Sequence, residues 1–280
     1  MKIEHSSLIG TFEQKRNLVR QFNLMDDDFF AVVMQHEEAF EVMLRILTGR
    51  NDLHVTEVRT QYSIRNLVGH SVILDGYAED DEHKLYNVEV QVKNNDYHPK
   101  RVRYYQSNID LTNLEKGVKY KNLPDLYLIF ITSFDQFGRN KNCYKVKRFI
   151  DGTNQEVSNG IHELYFNTAV KDDSEISKLL QYFENTYSGN TEFKELSDYV
   201  RYYKETEGGV ECMCDAIRSY GDKRAADAKA MGEAEKLVQL ICILMDNTKC
   251  SLEDALNMTG CSVEEYNSSV SLLNSIKNTE

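Results

Sequence analysis

Asp75, Glu89 and Gln91 are the residues whose types and spacing could do chemistry. They lie in the stretch Ser71 to Lys93, SVILDGYAEDDEHKLYNVEVQVK. Apolar residues alternate at Val72 and Leu74 and again at Val88, Val90 and Val92, with the polar run Glu79-Asp80-Asp81-Glu82-His83 between them. That pattern predicts a β-hairpin with an acidic turn too polar to be core. Side chains alternate along a strand, so Ile73, Asp75 and Tyr77 share one face, and Glu89, Gln91 and Lys93 share one face of the next strand. If those faces coincide, two carboxylates converge. Carboxylate oxygens on a rigid sheet suit a hard divalent cation such as magnesium, which polarises a phosphate and lowers the pKa of an attacking water. Gln91 would point into the same cleft, where it could orient the water or bond a phosphate oxygen, but it brings no positive charge. The bland alternative is a half-buried sheet with a solvated polar face.

Two later segments follow in order, Arg101-Val102-Arg103-Tyr104-Tyr105-Gln106-Ser107 and Leu123-Pro124-Asp125-Leu126-Tyr127-Leu128-Ile129-Phe130-Ile131. Together with Asp75 and Glu89-Val90-Gln91, they resemble the PD-(D/E)XK nuclease family transposases, also called recombination-promoting nucleases of the Rpn type. The likeness runs from about Asp26 to Tyr203, with an echo in the tail. It implies an α/β (α+β) fold, a restriction-endonuclease-like mixed sheet flanked by helices with a C-terminal helical tail. It also implies a metal-dependent DNA endonuclease linked to recombination or transposition, using Mg2+ or Mn2+ held by Asp75 and Glu89, with Gln91 as the third catalytic residue. Two positions depart from the superfamily pattern. Leu74 stands where proline is usual, and Gln91 where a lysine normally stabilises transition-state charge. Lys93 on the same strand face, or Arg101 and Arg103 on the following helix, could supply that charge.

Those elements must be positioned by the rest of the chain. Its 280 residues can bury a sizeable core and suggest a main domain, 1–207, plus a helical appendage, 208–280. The formal charge of −12 excludes a uniformly nucleic-acid-coating surface, so a DNA site must be a local patch. That reversal occurs between Lys93 and Lys121, where basic residues outnumber acidic ones and Lys93, Lys100, Arg101, Arg103 and Tyr105 form a candidate nucleic-acid contact. No window approaches the length of a membrane span, and a cytoplasmic location is expected. The six cysteines lack paired CxxC spacing, which points to reduced thiols rather than a zinc site. Neither HExxH, GxSxG nor GxxxxGK occurs.

In chain order, Thr11 to Gly49 reads as helices, with Phe29, Phe30, Val33, Met34, Phe40, Met43, Leu44 and Leu47 at three-to-four spacing. Asp26-Asp27-Asp28 could serve as metal ligands but better suits an N-terminal cap, and Glu38 or Glu41 could approach the cleft. Val55 to Ile64 is a strand that extends the hairpin to a three-stranded meander. Tyr97 to Leu114 is a helix. Asp125 to Thr132 is a central strand buried on both faces. Tyr144 to Phe149 carries basic residues on one face, suiting either a second DNA patch or edge protection. His162 to Asn167 is the last strand, and helices from about Ser174 to Lys204 close the domain. Gly208-Gly209 reads as a hinge. Ala226, Ala230, Ala234, Leu237, Ile241 and Leu244 then mark a helix face for oligomerisation, and capped starts at Ser251 and Ser262 suggest two short helices. The expected partners are DNA and a second copy through the C-terminal helices. The competing function is a catalytically inactive DNA-binding or assembly protein that keeps the nuclease fold, with RNA cleavage as a third reading that shares the metal chemistry.

Overall fold

The computed structural model describes residues 10–64, 71–92 and 99–274. It divides into two compact units, one drawn from Met1–Ile64 and Ile73–Ile217 and the other from Arg65–Val72 and Arg218–Glu280.

The first unit opens with α1 (Phe12–Val19), α2 (Asp27–Met34) and α3 (Glu37–Thr48). The apolar stripes of α2 and α3 are buried, and Gly49 ends α3 in the left-handed conformation at φ 74°. Asp26 sits at the N-cap of α2, but its carboxylate turns back to accept from the Asn23 N–H at 2.9 Å and does not bond the first turn. Strands β1 (Val55–Ile64), β2 (Val72–Asp80), β3 (Leu85–Gln91), β4 (Leu126–Thr132), β5 (Cys143–Val146) and β6 (Ile161–Asn167) form one sheet in the order β1-β2-β3-β4-β6-β5. The β2–β3 hairpin is antiparallel, β4 runs parallel to both β3 and β6, and β5 closes one edge antiparallel to β6. This is a mixed sheet, and β4 is the buried central strand its apolar run predicts.

Helix α4 (Pro99–Asn113) joins β3 to β4, and α5 (Glu175–Glu184) and α6 (Lys194–Glu205) follow β6. Gly76 on β2 shows why the helices can pack so close to the site. A Cβ there would lie 2.8 Å from Phe40 Cε2, so only glycine lets the α3 ring press against the strand beside Asp75.

The acidic turn departs from its expected solvation. Asp80 is fully buried and accepts from the N–H groups of Glu82 (3.0 Å) and Lys84 (2.8 Å), from Tyr86 Oη (2.7 Å) and from Arg50 Nη1 (2.7 Å). Five polar groups thus satisfy one another where the hairpin turns, which is why a charge is tolerated there.

Gly208 and Gly209 are not a hinge. They lie in the first turn of α7 (Glu207–Thr248), and the break from α6 falls at Thr206. A Cβ on Gly209 would meet the Tyr202 carbonyl oxygen at 2.1 Å, so close backbone approach explains the glycine.

In the second unit α7 is joined by α8 (Leu252–Thr259) and α9 (Val263–Asn274). Ser251 and Asp254 form a capping box on α8, Gly260 ends it at φ 69°, and Ser262 Oγ accepts from the Glu265 N–H. Ile241, Ala255 and Leu256 form a small core, with Leu237, Leu244 and Tyr266 packed on it. The face of α7 marked for oligomerisation is therefore covered at its C-terminal end by the chain's own helices.

Candidate active site

The hairpin register decides whether the carboxylates meet. Gly76 lies opposite Val88 and Glu79 opposite Leu85, and one step beyond the ladder brings Asp75 opposite Glu89 on the same face. There the Asp75 carboxylate leaves the alternation of backbone bonds and itself accepts from the Val90 N–H at 3.0 Å. Asp75 is thereby fastened to β3 at the residue next to Glu89.

Both carboxylates are desolvated. Glu89 is 3 % exposed, and burial, then the Asp75 charge, hold its carboxyl well above the usual range. Asn87, two residues back on the same strand face, and the Asp75 N–H favour the ionised form, but Glu89 Oε1 completes no hydrogen bond, and neither polar atom of the Asn87 side chain does. Burial also pushes Asp75 up to about 6, against the Val90 hydrogen bond; Asp27 raises it further, while Arg101 and the Gln61 side chain lower it. Two desolvated acids thus repel each other, and one of them has an oxygen that completes no hydrogen bond.

Arg101 comes in from α4. Its Nη2 lies 3.4 Å from Glu89 Oε2 and its Nη1 3.5 Å from Gln91 Oε1, both long contacts, while Nε and Nη2 donate to Tyr105 Oη at 3.0 and 2.8 Å. The guanidinium also lies over the Tyr105 ring, 5.0 Å from its centroid. Tyr105 is buried, so it serves as the seat of Arg101. The tight bonds go to tyrosine and the loose ones to the site, so the Arg101 guanidinium faces Glu89 and Gln91 without pairing closely to either.

Of the sequence-predicted residues, Asp75, Glu89, Gln91 and Arg101 come together. Lys100 and Arg103 are exposed on α4, and Lys93 lies outside the described residues. Glu38 and Glu41 are engaged elsewhere: Glu38 accepts from Tyr199 Oη at 3.0 Å, and Glu41 takes the Val55 N–H at 2.9 Å and pairs with Arg45 at 2.7 Å. The helical carboxylate felt by Asp75 is Asp27. Asn87 is readable from strand alternation, and Asp27 belongs to the aspartate run that also admits a ligand reading; Gln61 carries no sequence signal pointing to the site. Asp75 and Glu89 are a pair of carboxylates, and among the described residues no group of three or more Asp, Glu, His or Cys is placed to hold a metal ion.

The fold and this pair of acids define a nuclease-like class of protein. Residues 45–189, more than half of the chain, match the family model for PD-(D/E)XK nuclease family transposase. The chain belongs to that family. The matched segment spans the whole sheet and α4, and membership supports a nuclease-type function in a superfamily that generally uses divalent metals. No curated protein and no solved structure matches the chain. Among the described residues no helix is long and apolar enough to cross a membrane.

Proposed function

We propose that this protein is a DNA endonuclease that hydrolyses phosphodiesters with Mg2+ or Mn2+ held by Asp75 and Glu89, acting in recombination or transposition. The observation that carries the reading is Glu89 Oε1, a buried carboxylate oxygen without a hydrogen bond beside a second desolvated acid. A divalent cation supplies phosphate polarisation and an acidified water. The side chains do the rest. Asp75 and Glu89 are held rigidly by β2 and β3. Arg101 faces the place where a phosphate oxygen gains charge and substitutes, from a helix, for the lysine absent at Gln91. Gln91 Oε1 is turned to Arg101, which leaves its amide N–H groups to orient the phosphate or the water. Lys100 and Arg103 on α4, with Lys93, extend the contact along the DNA backbone. The protein acts in the cytoplasm, where its six free cysteines stay reduced, and pairs with a second copy through the C-terminal helices, where Leu240 and Ile243 of α7 are exposed.

A second reading is a catalytically inactive DNA-binding or assembly protein, favoured by Gln91 in the lysine position and by Arg101 already facing Glu89. Melting curves separate the two. Mg2+ or Ca2+ is expected to raise the melting temperature of the wild type and not of Asp75→Ala, because a ligand of the folded state must stabilise it. Equal melting of both proteins with and without metal favours the inactive protein. Parallel DNA and RNA substrates decide the polymer.

A further inference from the structure

Asn87 is the residue beside the site that core packing does not explain. It is fully buried on β3, and neither its Nδ2 nor its Oδ1 completes a hydrogen bond. Buried amides in folded proteins are nearly always paired, because an amide taken out of water without a partner costs free energy that an apolar side chain of similar shape does not. Asparagine is also a poor strand former. The metal-free fold thus carries a cost at position 87 that a leucine or valine would avoid.

The sheet register identifies the partner. Asn87 lies across from Tyr77 on β2 and from Leu128 on β4. Leu85 and Glu89 flank it along β3 on the same face. Leu85 and Leu128 are apolar, and the Tyr77 hydroxyl donates to Asn113 Oδ1 on α4 at 3.4 Å. Of these neighbours only Glu89 offers a buried acceptor without a bond, its Oε1. The unpaired donor and the unpaired acceptor therefore occupy successive positions on one face of one strand.

We infer that Asn87 is a positioning residue for Glu89: its Nδ2 donates to the Glu89 carboxylate when a divalent cation is bound, and so fixes the direction of the oxygens that face the metal. This rests on the reading of Glu89 as a metal ligand. Partners behind a ligand carboxylate orient it and tune its metal affinity. A neutral amide suits that place. An acid there would add a third charge to the repelling pair, and a lysine would compete with the metal for Glu89.

The test is made on the full-length protein. Asn87→Leu keeps the branch at Cγ and removes donor and acceptor together. In metal-free buffer it is expected to melt at or a few degrees above wild type, since no hydrogen bond is lost and an unpaired amide is removed. Calorimetric titration with MnCl2 is expected to give a dissociation constant about tenfold higher than wild type. The Mn2+ concentration for half-maximal plasmid cleavage should rise by the same factor, while the rate at saturating Mn2+ recovers. Stability and affinity then move in opposite directions. An asparagine that only holds the strand in place gives the reverse, a lower melting temperature with unchanged Mn2+ affinity, and that result overturns the inference. If Asn87→Leu does not fold, Asn87→Ala is read for Mn2+ affinity alone, where binding about tenfold weaker supports the inference. Wild-type affinity in either folded variant overturns it and leaves the site intact. Absence of Mn2+ binding by the wild type, matching Asp75→Ala, overturns the site and the inference together.

Discussion

The Asp75 carboxylate accepts a 3.0 Å hydrogen bond from the backbone N–H of Val90, the residue that follows Glu89. A side chain here takes over from the strand ladder, and the two acids are locked side by side where water is largely excluded. Ionising such a pair is destabilising, and a pH dependence follows.

Asp75 titrates near 6 in the folded protein, above its usual 3.8, because of burial. Between those values the folded state binds more protons than the unfolded state. The contribution of Asp75 to stability is therefore fully present below about pH 4, falls as pH rises through about 6, and then levels off, with a loss on the order of 2–3 kcal/mol. Asp75→Asn keeps an acceptor for the Val90 N–H and removes the charge. In metal-free buffer it is expected to melt several degrees above wild type at pH 8 and level with it at pH 4. Differential scanning calorimetry at both pH values checks this, and a variant less stable than wild type at pH 8 contradicts it.

Arg101 is expected to do the work of the missing lysine. Arg101→Ala should lower the cleavage rate about a hundredfold, the range for losing a transition-state donor. Gln91→Lys alone should bring no gain, since it sets a second cation beside Arg101, but it should restore part of the activity to Arg101→Ala. Single-turnover rates of the two single variants and the double variant measure the coupling. Simple multiplication of the two effects would remove Arg101 from the chemistry.

At the other end of β2, Asp80 holds Arg50, Tyr86 and the hairpin turn together. Burial pushes its carboxyl up, but these donors outweigh burial and hold it below the ordinary range. Its contribution is thus present above the ordinary carboxylate pKa and is lost as pH falls below it. Asp80→Asn is expected to cost about 2–4 kcal/mol in urea denaturation, because Arg50 and Tyr86 lose their buried charged acceptor and Arg50 keeps only the half-exposed Glu82, with Mn2+ affinity unaltered. Loss of Mn2+ affinity at unchanged stability would place Asp80 in the site instead.

Much of this is legible in the sequence. The period-two alternation around Asp75 and Glu89 needs only the hairpin to bring them onto one face, and the apolar run Leu126 to Thr132 reads as a buried central strand. What sequence could not show depends on departures from periodicity or on distant packing. Gln61 takes a left-handed backbone, φ 49°, inside β1, a departure that no periodicity announces. Asp27 is near it because of how α2 packs. Asp80 looked like solvated turn because its donors, Arg50 and Tyr86, come from elsewhere in the chain. The glycines at 208 and 209 suggested a hinge, whereas Gly209 serves the close approach of two helices.

The most direct measurement is nicking of supercoiled plasmid by the purified protein with Mg2+ or Mn2+, alongside Asp75→Ala and Glu89→Gln and with fold integrity followed by circular dichroism. The wild type is expected to nick only when the metal is present, and each variant to fall by about a thousandfold or more while remaining folded. Undiminished nicking by folded Asp75→Ala would contradict the assignment of these two carboxylates as the catalytic pair.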